Sequence, residues 1–350
     1  MTEPLRILHA VSSDLFAGVE QFVRRLAIRQ AHDGHIVAVF GGAAEHMAES
    51  LTEAGVRWGA ANSTLATLDA VRRQLPMTDI VNSHMTAADV ATVGARSISR
   101  RDVPIIATRH FAQRRGTLGP SILYRILERH IDGEISVSRT VADRVGVPST
   151  VIHPGLEPGD LPDPSTRRRT VLVAQRLQPE KHTDVAIRAF AASGICESGW
   201  DLEIAGTGPD RDHLISLAEE LNVDEHVRLL GFRTDLSTLM YDAGLLFASS
   251  PFEHFGLTVL EAMGAGLPVV AAAAAGHVEM LRGFDDRALF TPDDIEGAAE
   301  RLRSLASDPE ARALLGMAEH ARQGDDFSLR KQADATESVY RHAIELRGRD

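Results

Sequence analysis

Cysteine is almost absent from this chain of 350 residues, with Cys196 the single example. One thiol cannot close an internal disulfide, so the fold must rest on buried apolar surface, as expected in a reducing compartment. Lysine is nearly as scarce: Lys181 and Lys331 stand against 35 arginines. Aromatic residues make up only 5%, and the formal net charge is -12. An acidic surface with few stacking platforms excludes nucleic acid as the expected partner. No basic start followed by a long apolar run opens the chain, and residues 5–11 read as a buried strand rather than a leader. The longest apolar stretch, 267–276, is about half a bilayer span and carries Pro268. A soluble, cytoplasmic protein is the expectation.

What the chain does hold is ample core material, 44% hydrophobic, in a length that exceeds one ordinary domain. Short β-branched runs alternate with longer Ala/Leu/Arg patterns, the signature of parallel βαβ units. Strands are expected near 6–11, 35–40, 79–83, 104–108, 133–137 and 150–153, then near 171–175, 201–205, 227–230, 245–249 and 268–272. Helices fill the gaps, among them 19–32, 183–192, 209–221 and 258–265. The segment 154–164 holds four prolines and two glycines, a density that neither helix nor central strand survives. It is read as a hinge. The fold class is therefore α/β, two doubly wound Rossmann-like domains facing each other across a cleft: 1–158, then 159–330, with a terminal helical segment over 331–350. Ligands of such sheets bind beyond the carboxyl ends of the strands, so the chemistry is sought in the turns that follow them.

The most informative turn is Glu253-His254-Phe255-Gly256-Leu257-Thr258, which runs from a strand into a helix carrying Glu261. A helix start offers free N–H groups and a positive dipole end, which suit a phosphate. Glu261 sits among Val259, Leu260, Ala262 and Met263, where a carboxylate needs donors such as ribose hydroxyls. A single glutamate in such a place could equally be a structural cap. A second turn, Gln175-Arg176-Leu177-Gln178-Pro179-Glu180-Lys181, again joins strand to helix and holds one of the two lysines. Arg176 and Lys181 together could neutralise a departing diphosphate, although Lys181 taken alone could be a surface lysine. Gly206-Thr207-Gly208-Pro209 is a further glycine turn, without the third glycine of a dinucleotide fingerprint. No Gly-x-Gly-x-x-Gly turn follows the first strand either, which argues against a dinucleotide-dependent oxidoreductase.

Glu253 and Glu261, set within E-H-F-G-L-T-V-L-E-A-M-G-A-G-L-P-V-V, resemble the paired-glutamate motif of retaining glycosyltransferases of the GT-B fold, glycosyltransferase family 4 in particular. The resemblance implies that Glu253 contacts the donor sugar and Glu261 the nucleotide ribose. The backbone of Gly256, Leu257 and Thr258 would meet the diphosphate, with Arg176 and Lys181 neutralising it. It places Gly206 in the lining of the donor cleft and Phe232 beside the base. Glu279 of Ala275-Gly276-His277-Val278-Glu279 falls on a sugar-binding turn, and Gly18 of Phe16-Ala17-Gly18-Val19-Glu20 on a turn over the phosphates. Ala17, Gln175 and Ala275 stand where the family has glycine. The terminal helix is expected to return to the first domain.

The first half should face the acceptor. His84 and His110 each fall at the end of an expected strand. The resemblance brings His110 toward the donor sugar, as a catalytic partner of Glu253, and leaves His84 on the acceptor side. In some relatives the stretch matching 114–130 meets a membrane. Peripheral contact at the inner membrane surface is the corresponding expectation, against a solvated helix packed on its own domain. The activity implied is transfer of a hexose or related sugar, with retention, from a nucleoside-diphosphate sugar. The acceptor is a hydroxyl of a glycan, a lipid-linked glycan or a small molecule, in glycan, glycolipid or cell-envelope polysaccharide synthesis. Neither cofactor nor metal is expected, since no Asp-x-Asp turn is placed to bind one. A catalytically degenerate nucleotide-binding member and a sugar-nucleotide epimerase are the alternatives.

Overall fold

The computed structural model describes residues 3–115, 127–157, 159–284 and 286–348. The chain divides into two compact units: one runs to Gly155 and takes in the chain again from Leu329, the other is Leu156–Ser328. The change of unit falls inside the Pro/Gly-rich segment, three residues ahead of the position read from sequence.

The first unit is built on β1 (Arg6–Val11), β2 (Ile36–Phe40), β3 (Arg57–Gly59), β4 (Ile80–His84), β5 (Ile105–Arg109), β6 (Gly133–Ser136) and β7 (Thr150–Val151). They form one sheet in the order β3-β2-β1-β4-β5-β6-β7, with every pairing parallel. β4 and β5 are buried along their whole length, as covered parallel strands are, and the side chains of Leu8, Val81 and Ile105 join one core. β3 was not anticipated. Its three residues are Arg, Trp and Gly, half-buried or exposed, with no apolar run to mark them.

The helix Leu329–Arg347 belongs to this unit. Tyr340, fully buried, accepts a hydrogen bond from Asn82 Nδ2 at 2.6 Å, and Arg347 Nη2 reaches Asp132 at 2.7 Å. Gln332 accepts from the Gly155 N–H at 2.7 Å, holding the end of the unit's first segment. An aromatic hydroxyl with a buried partner combines apolar burial with a satisfied polar tip.

The second unit contains β8 (Thr170–Ala174), β9 (Asp201–Ala205), β10 (Val227–Gly231), β11 (Leu245–Ala248), β12 (Val269–Ala272) and β13 (Leu289–Phe290). Their order is β10-β9-β8-β11-β12-β13, again parallel throughout. β13 is too short to be read from sequence, yet Phe290 stacks on Phe247 of β11 with ring centroids 5.2 Å apart. A buried phenylalanine contributes about 1.5–3 kcal/mol, enough to anchor a two-residue strand. Phe190, Trp200, Leu202 and Ile204 fill the same core. The helix expected from residue 209 begins at Arg211, because Pro209 lies in the turn before it.

Each sheet has one place where neighbouring strands are distant in sequence: β1 beside β4 in the first unit, β8 beside β11 in the second. Loops leave such a pair in opposite directions, opening a crevice at the carboxyl ends. No helix of the described residues is long and apolar enough to cross a membrane. Residues 116–126, the centre of the stretch proposed for membrane contact, lie outside the described residues. Arg115, at its edge, is fully buried rather than outward-facing.

Candidate active site

In the second unit the turns leaving β8 and β11 meet. Gln175, just past β8, points its amide at the Lys181 carbonyl, the Thr183 hydroxyl and the Ser249 hydroxyl, at 2.9–3.1 Å. The residue that replaces a small one therefore ties two loops together. Ser249, just past β11, donates to the Lys181 carbonyl at 3.0 Å. These contacts hold Lys181 over Glu253, and the two side chains form a half-buried ion pair. Arg176 beside them is exposed and has no side-chain partner among the described residues.

Gly256 begins the helix Leu257–Gly264 in the left-handed region, at φ 102°. A Cβ there would stand 2.9 Å from the His277 ring and would also be strained by the backbone. Thr258 donates to the Ala174 carbonyl at 3.2 Å, which fastens the helix start to the end of β8. The first-turn N–H groups of a helix have no intrahelical acceptor, so those of Leu257 and Thr258 are directed outward for an anion. Glu261 lies half-buried one turn further on.

The helix Ala275–Leu281 closes against the same loop. Gly276 donates its N–H to the Glu253 carbonyl at 3.1 Å, and a Cβ at Gly276 would fall 2.1 Å from the Phe255 carbonyl oxygen. Only glycine permits this approach. Ala275 before it takes φ 31°, a left-handed conformation that costs a residue with a Cβ roughly 1–2 kcal/mol. His277 is buried, and its Nδ1 donates to the Ala272 carbonyl at 3.0 Å. Burial pushes its pKa down, an effect that nearby Glu253 opposes and Lys181 adds to, so the ring is neutral with Nε2 toward Gly256. Sequence reading passed over His277, since nothing in its neighbours marks it as more than a helix residue.

Gly206 and Gly208 serve a packing need. A Cβ at either would fall about 2 Å from a backbone oxygen, Gln175 O for the first and Leu177 O for the second. The turn after β9 thereby locks onto the Arg176 turn. Glu279 is half-buried on the helix of Gly276, and Phe232, past edge strand β10, is 72% exposed. Lys181, Glu253 and the Gly256 turn are thus brought together with Arg176, while Phe232 stands apart on the surface.

In the first unit, Gly18 opens the helix Gly18–His32, and Glu20 accepts the Ala17 N–H at 2.9 Å. The turn is thus held by a buried carboxylate cap. His84 and His110 do meet, but within a chain that sequence reading did not anticipate. His110 Nε2 is 3.0 Å from His84 Nδ1, His84 Nε2 is 3.1 Å from His9 Nδ1, and His9 Nε2 is 2.8 Å from the Gln30 oxygen. With that oxygen as acceptor, each neutral ring donates from Nε2 and accepts at Nδ1. Burial lowers all three pKa values, to about 4 for His9 and about 3 for His110, and His84 falls well below its ordinary value. His84 has no exposed surface and both nitrogens are occupied, so it offers no ring nitrogen to an acceptor. Next to this chain Arg115 bridges Asp89 and Glu134, and Arg109 also reaches Glu134. These arginines form a buried ion-pair network rather than a basic surface.

Among the described residues no group of three or more His, Cys, Asp or Glu is placed to hold a metal ion.

Residues 162–322 match the model of the family described as glycosyl transferases group 1. That segment encloses the Arg176, Lys181 and Glu253 site. The chain is 31% identical over 261 residues to glycogen synthase of Mycobacterium tuberculosis, covering 68% of this chain and 63% of that relative. Just under two thirds of the relative's length is thus spanned. Among solved structures, a glycosyltransferase from Rickettsia africae aligns over 98% of this chain and 99% of its own, at TM-score 0.80 and 16% identity. Anabaena Alr3699/HepE in complex with UDP and glucose aligns over 96% and 99%, at TM-score 0.78 and 21% identity. The fold is that of the GT-B glycosyltransferases.

Proposed function

We propose that this chain is a retaining glycosyltransferase of family 4, moving a hexose or related sugar from a nucleoside-diphosphate sugar to a hydroxyl acceptor. One observation carries the reading: the Lys181–Glu253 ion pair lies at the β8/β11 crevice, beside an unpartnered Arg176 and the amino end of the helix Leu257–Gly264. That is three positive elements and a carboxylate in one crevice. A diphosphate leaving group gathers negative charge as the glycosidic bond breaks, and preorganised donors favour that charge most strongly.

In this reading Arg176, Lys181 and the Leu257 and Thr258 N–H groups take the diphosphate. Glu253, released from Lys181, takes donor sugar hydroxyls, and Glu261 takes the ribose. The neutral His277 shapes the Gly256 turn. His110 faces the sugar as it gains positive character, and its depressed pKa keeps it uncharged there. The acceptor hydroxyl attacks from the side the diphosphate leaves, and a phosphate oxygen takes its proton. The cationic groups of the chain neutralise the diphosphate, so no metal is needed. The work is placed in the cytoplasm, on a glycan, glycolipid or cell-envelope acceptor.

UDP and UDP-glucose are the first donors to try, since the structural neighbour HepE was solved with UDP and glucose. The test is thermal stabilisation by UDP, GDP, ADP and dTDP, with Arg176→Ala/Lys181→Ala as control. Loss of one charge-assisted contact is worth about 1.5–3 kcal/mol, so the variant should bind roughly ten- to a hundredfold more weakly. Equal binding by the variant, or no shift by any nucleotide, overturns the reading. The anomeric configuration of the product, read by NMR, tests retention.

A further inference from the structure

At the opposite edge of the second unit's sheet, where β8, β9 and β12 begin, a cavity of about 1170 Å³ is walled by Arg167, Arg169, Arg303 and Arg312, with Trp200 among its lining residues. Clefts that enclose small molecules occupy roughly 300–1,000 Å³, so the space exceeds what a bare inorganic ion fills. Only two carboxylates line it, Asp163 and Glu310.

The four arginines are not equivalent. Arg167 spends its donors on the carbonyls of Met240, Tyr241, Ala243 and Ala265, and burial pulls its pKa down to about 10. Arg303 binds the Ser193 and Ala192 carbonyls and pairs with Glu300. Arg169 and Arg312 differ. Arg169 donates only to the Ser198 carbonyl, at 2.9 Å, and has no carboxylate partner among the described residues. Arg312 donates from Nη1 to the Leu305 and Ala306 carbonyls and lies 5.1 Å above the Trp200 ring, also without a carboxylate partner. The two charges repel each other: Arg169 lowers the pKa of Arg312, in addition to burial. Two guanidinium groups held near each other without a counter-charge are stabilised by an anion that bridges them.

We propose that this cavity binds a phosphorylated small molecule, its phosphate held by the free N–H groups of Arg169 and Arg312. The remainder lies along Leu161, Ala306, Ala313 and Met317, the apolar part of the wall. This site is separate from the crevice of Arg176, which lies past the carboxyl ends of the same strands. The helix Leu257–Gly264 runs between the two, with Thr258 fastened at one and the Ala265 carbonyl held by Arg167 at the other.

Trp200 is one of two tryptophans, so Trp58→Phe leaves it as the only indole. Its fluorescence would be titrated with glucose 6-phosphate and with inorganic pyrophosphate in that background, at physiological salt. Arg176→Ala/Lys181→Ala is added to silence the donor crevice. A saturable change is expected, tighter for glucose 6-phosphate, and weakened at least about tenfold by Arg169→Gln/Arg312→Gln. Arg169→Gln alone, at an exposed position, serves if the double variant is unstable, and thermal stabilisation serves as a second readout. Neither fluorescence nor stability responding, or an equal response in Arg169→Gln, overturns the proposal. Pyrophosphate binding as tightly as glucose 6-phosphate overturns its ester part. Binding that survives in the Arg176→Ala/Lys181→Ala variant stands whether or not the donor reading does.

Discussion

Acid should unfold the first unit well before the second, and the histidine chain sets the size of the effect. A free histidine titrates at roughly 6.5. In the folded unit burial holds His9 at about 4 and His110 at about 3, with His84 also far down. Folded and unfolded chains carry the same uncharged rings above roughly pH 6.5, so the chain costs nothing there. Below it the unfolded state binds protons that the folded state refuses, and stability falls until the folded pKa values are reached. At pH 5, about 1.5 units below the unfolded value, each ring costs about 2 kcal/mol. His9 and His110 together cost about 4 kcal/mol, and His84 adds to this, against a total domain stability of about 5–15 kcal/mol. The assay is urea unfolding at pH 7.5, 6.5, 5.5 and 5.0 with single-tryptophan variants: Trp58 reports the first unit and Trp200 the second. The Trp58 transition should move to much lower urea by pH 5. An unmoved Trp58 midpoint, or histidine resonances of His9, His84 and His110 titrating near 6.5 in the folded protein, would refute the argument.

The second unit should respond with the opposite sign at one position. Glu319 is fully buried, accepts the Val269 N–H at 3.1 Å, and burial raises its pKa well above the ordinary value. Its contribution is fully present below the unfolded pKa of roughly 4.3 and is lost as pH rises toward the folded value. Glu319→Gln should therefore raise stability at pH 8 and flatten this part of the profile, as Trp200-monitored unfolding would record. Gly276→Ala should cost about 3 kcal/mol or more, because its Cβ meets the Phe255 backbone, and should abolish nucleotide stabilisation; a melting point within a degree of wild type would count against that contact. Ala275→Gly should gain about 1 kcal/mol by relieving a φ of 31°, with a lower melting point as the contrary result. Glu253→Ala should keep nucleotide binding and lose turnover, whereas full turnover would remove Glu253 from the sugar.

Most of the strand order in each unit could be anticipated from local runs of β-branched residues, because a strand covered on both faces must be apolar nearly throughout. β3 and β13 escaped for the complementary reason: two or three residues, one of them Phe290, make no run. The turns with Arg176, Lys181, Glu253 and Gly256 were legible because a strand-to-helix turn leaves a local signature of glycine and charge. That Gln175 braces two loops was not, since its acceptors lie as far away in sequence as Ser249.

Sequence alone therefore determined the α/β class, the hinge region and the positions of the donor turns, all properties written within a dozen consecutive residues. Only the tertiary structure decided what the buried polar groups do. His9 sits in the middle of an apolar strand and Gln30 on a helix, and nothing local says that they extend the line from His84 and His110. Arg169 and Arg312 lie more than a hundred residues apart, and their shared cavity exists because parallel strands bring every amino end to one edge. Hydrophobic periodicity is a short-range code, while the partner of a buried charge or ring nitrogen is chosen by packing across the whole sheet.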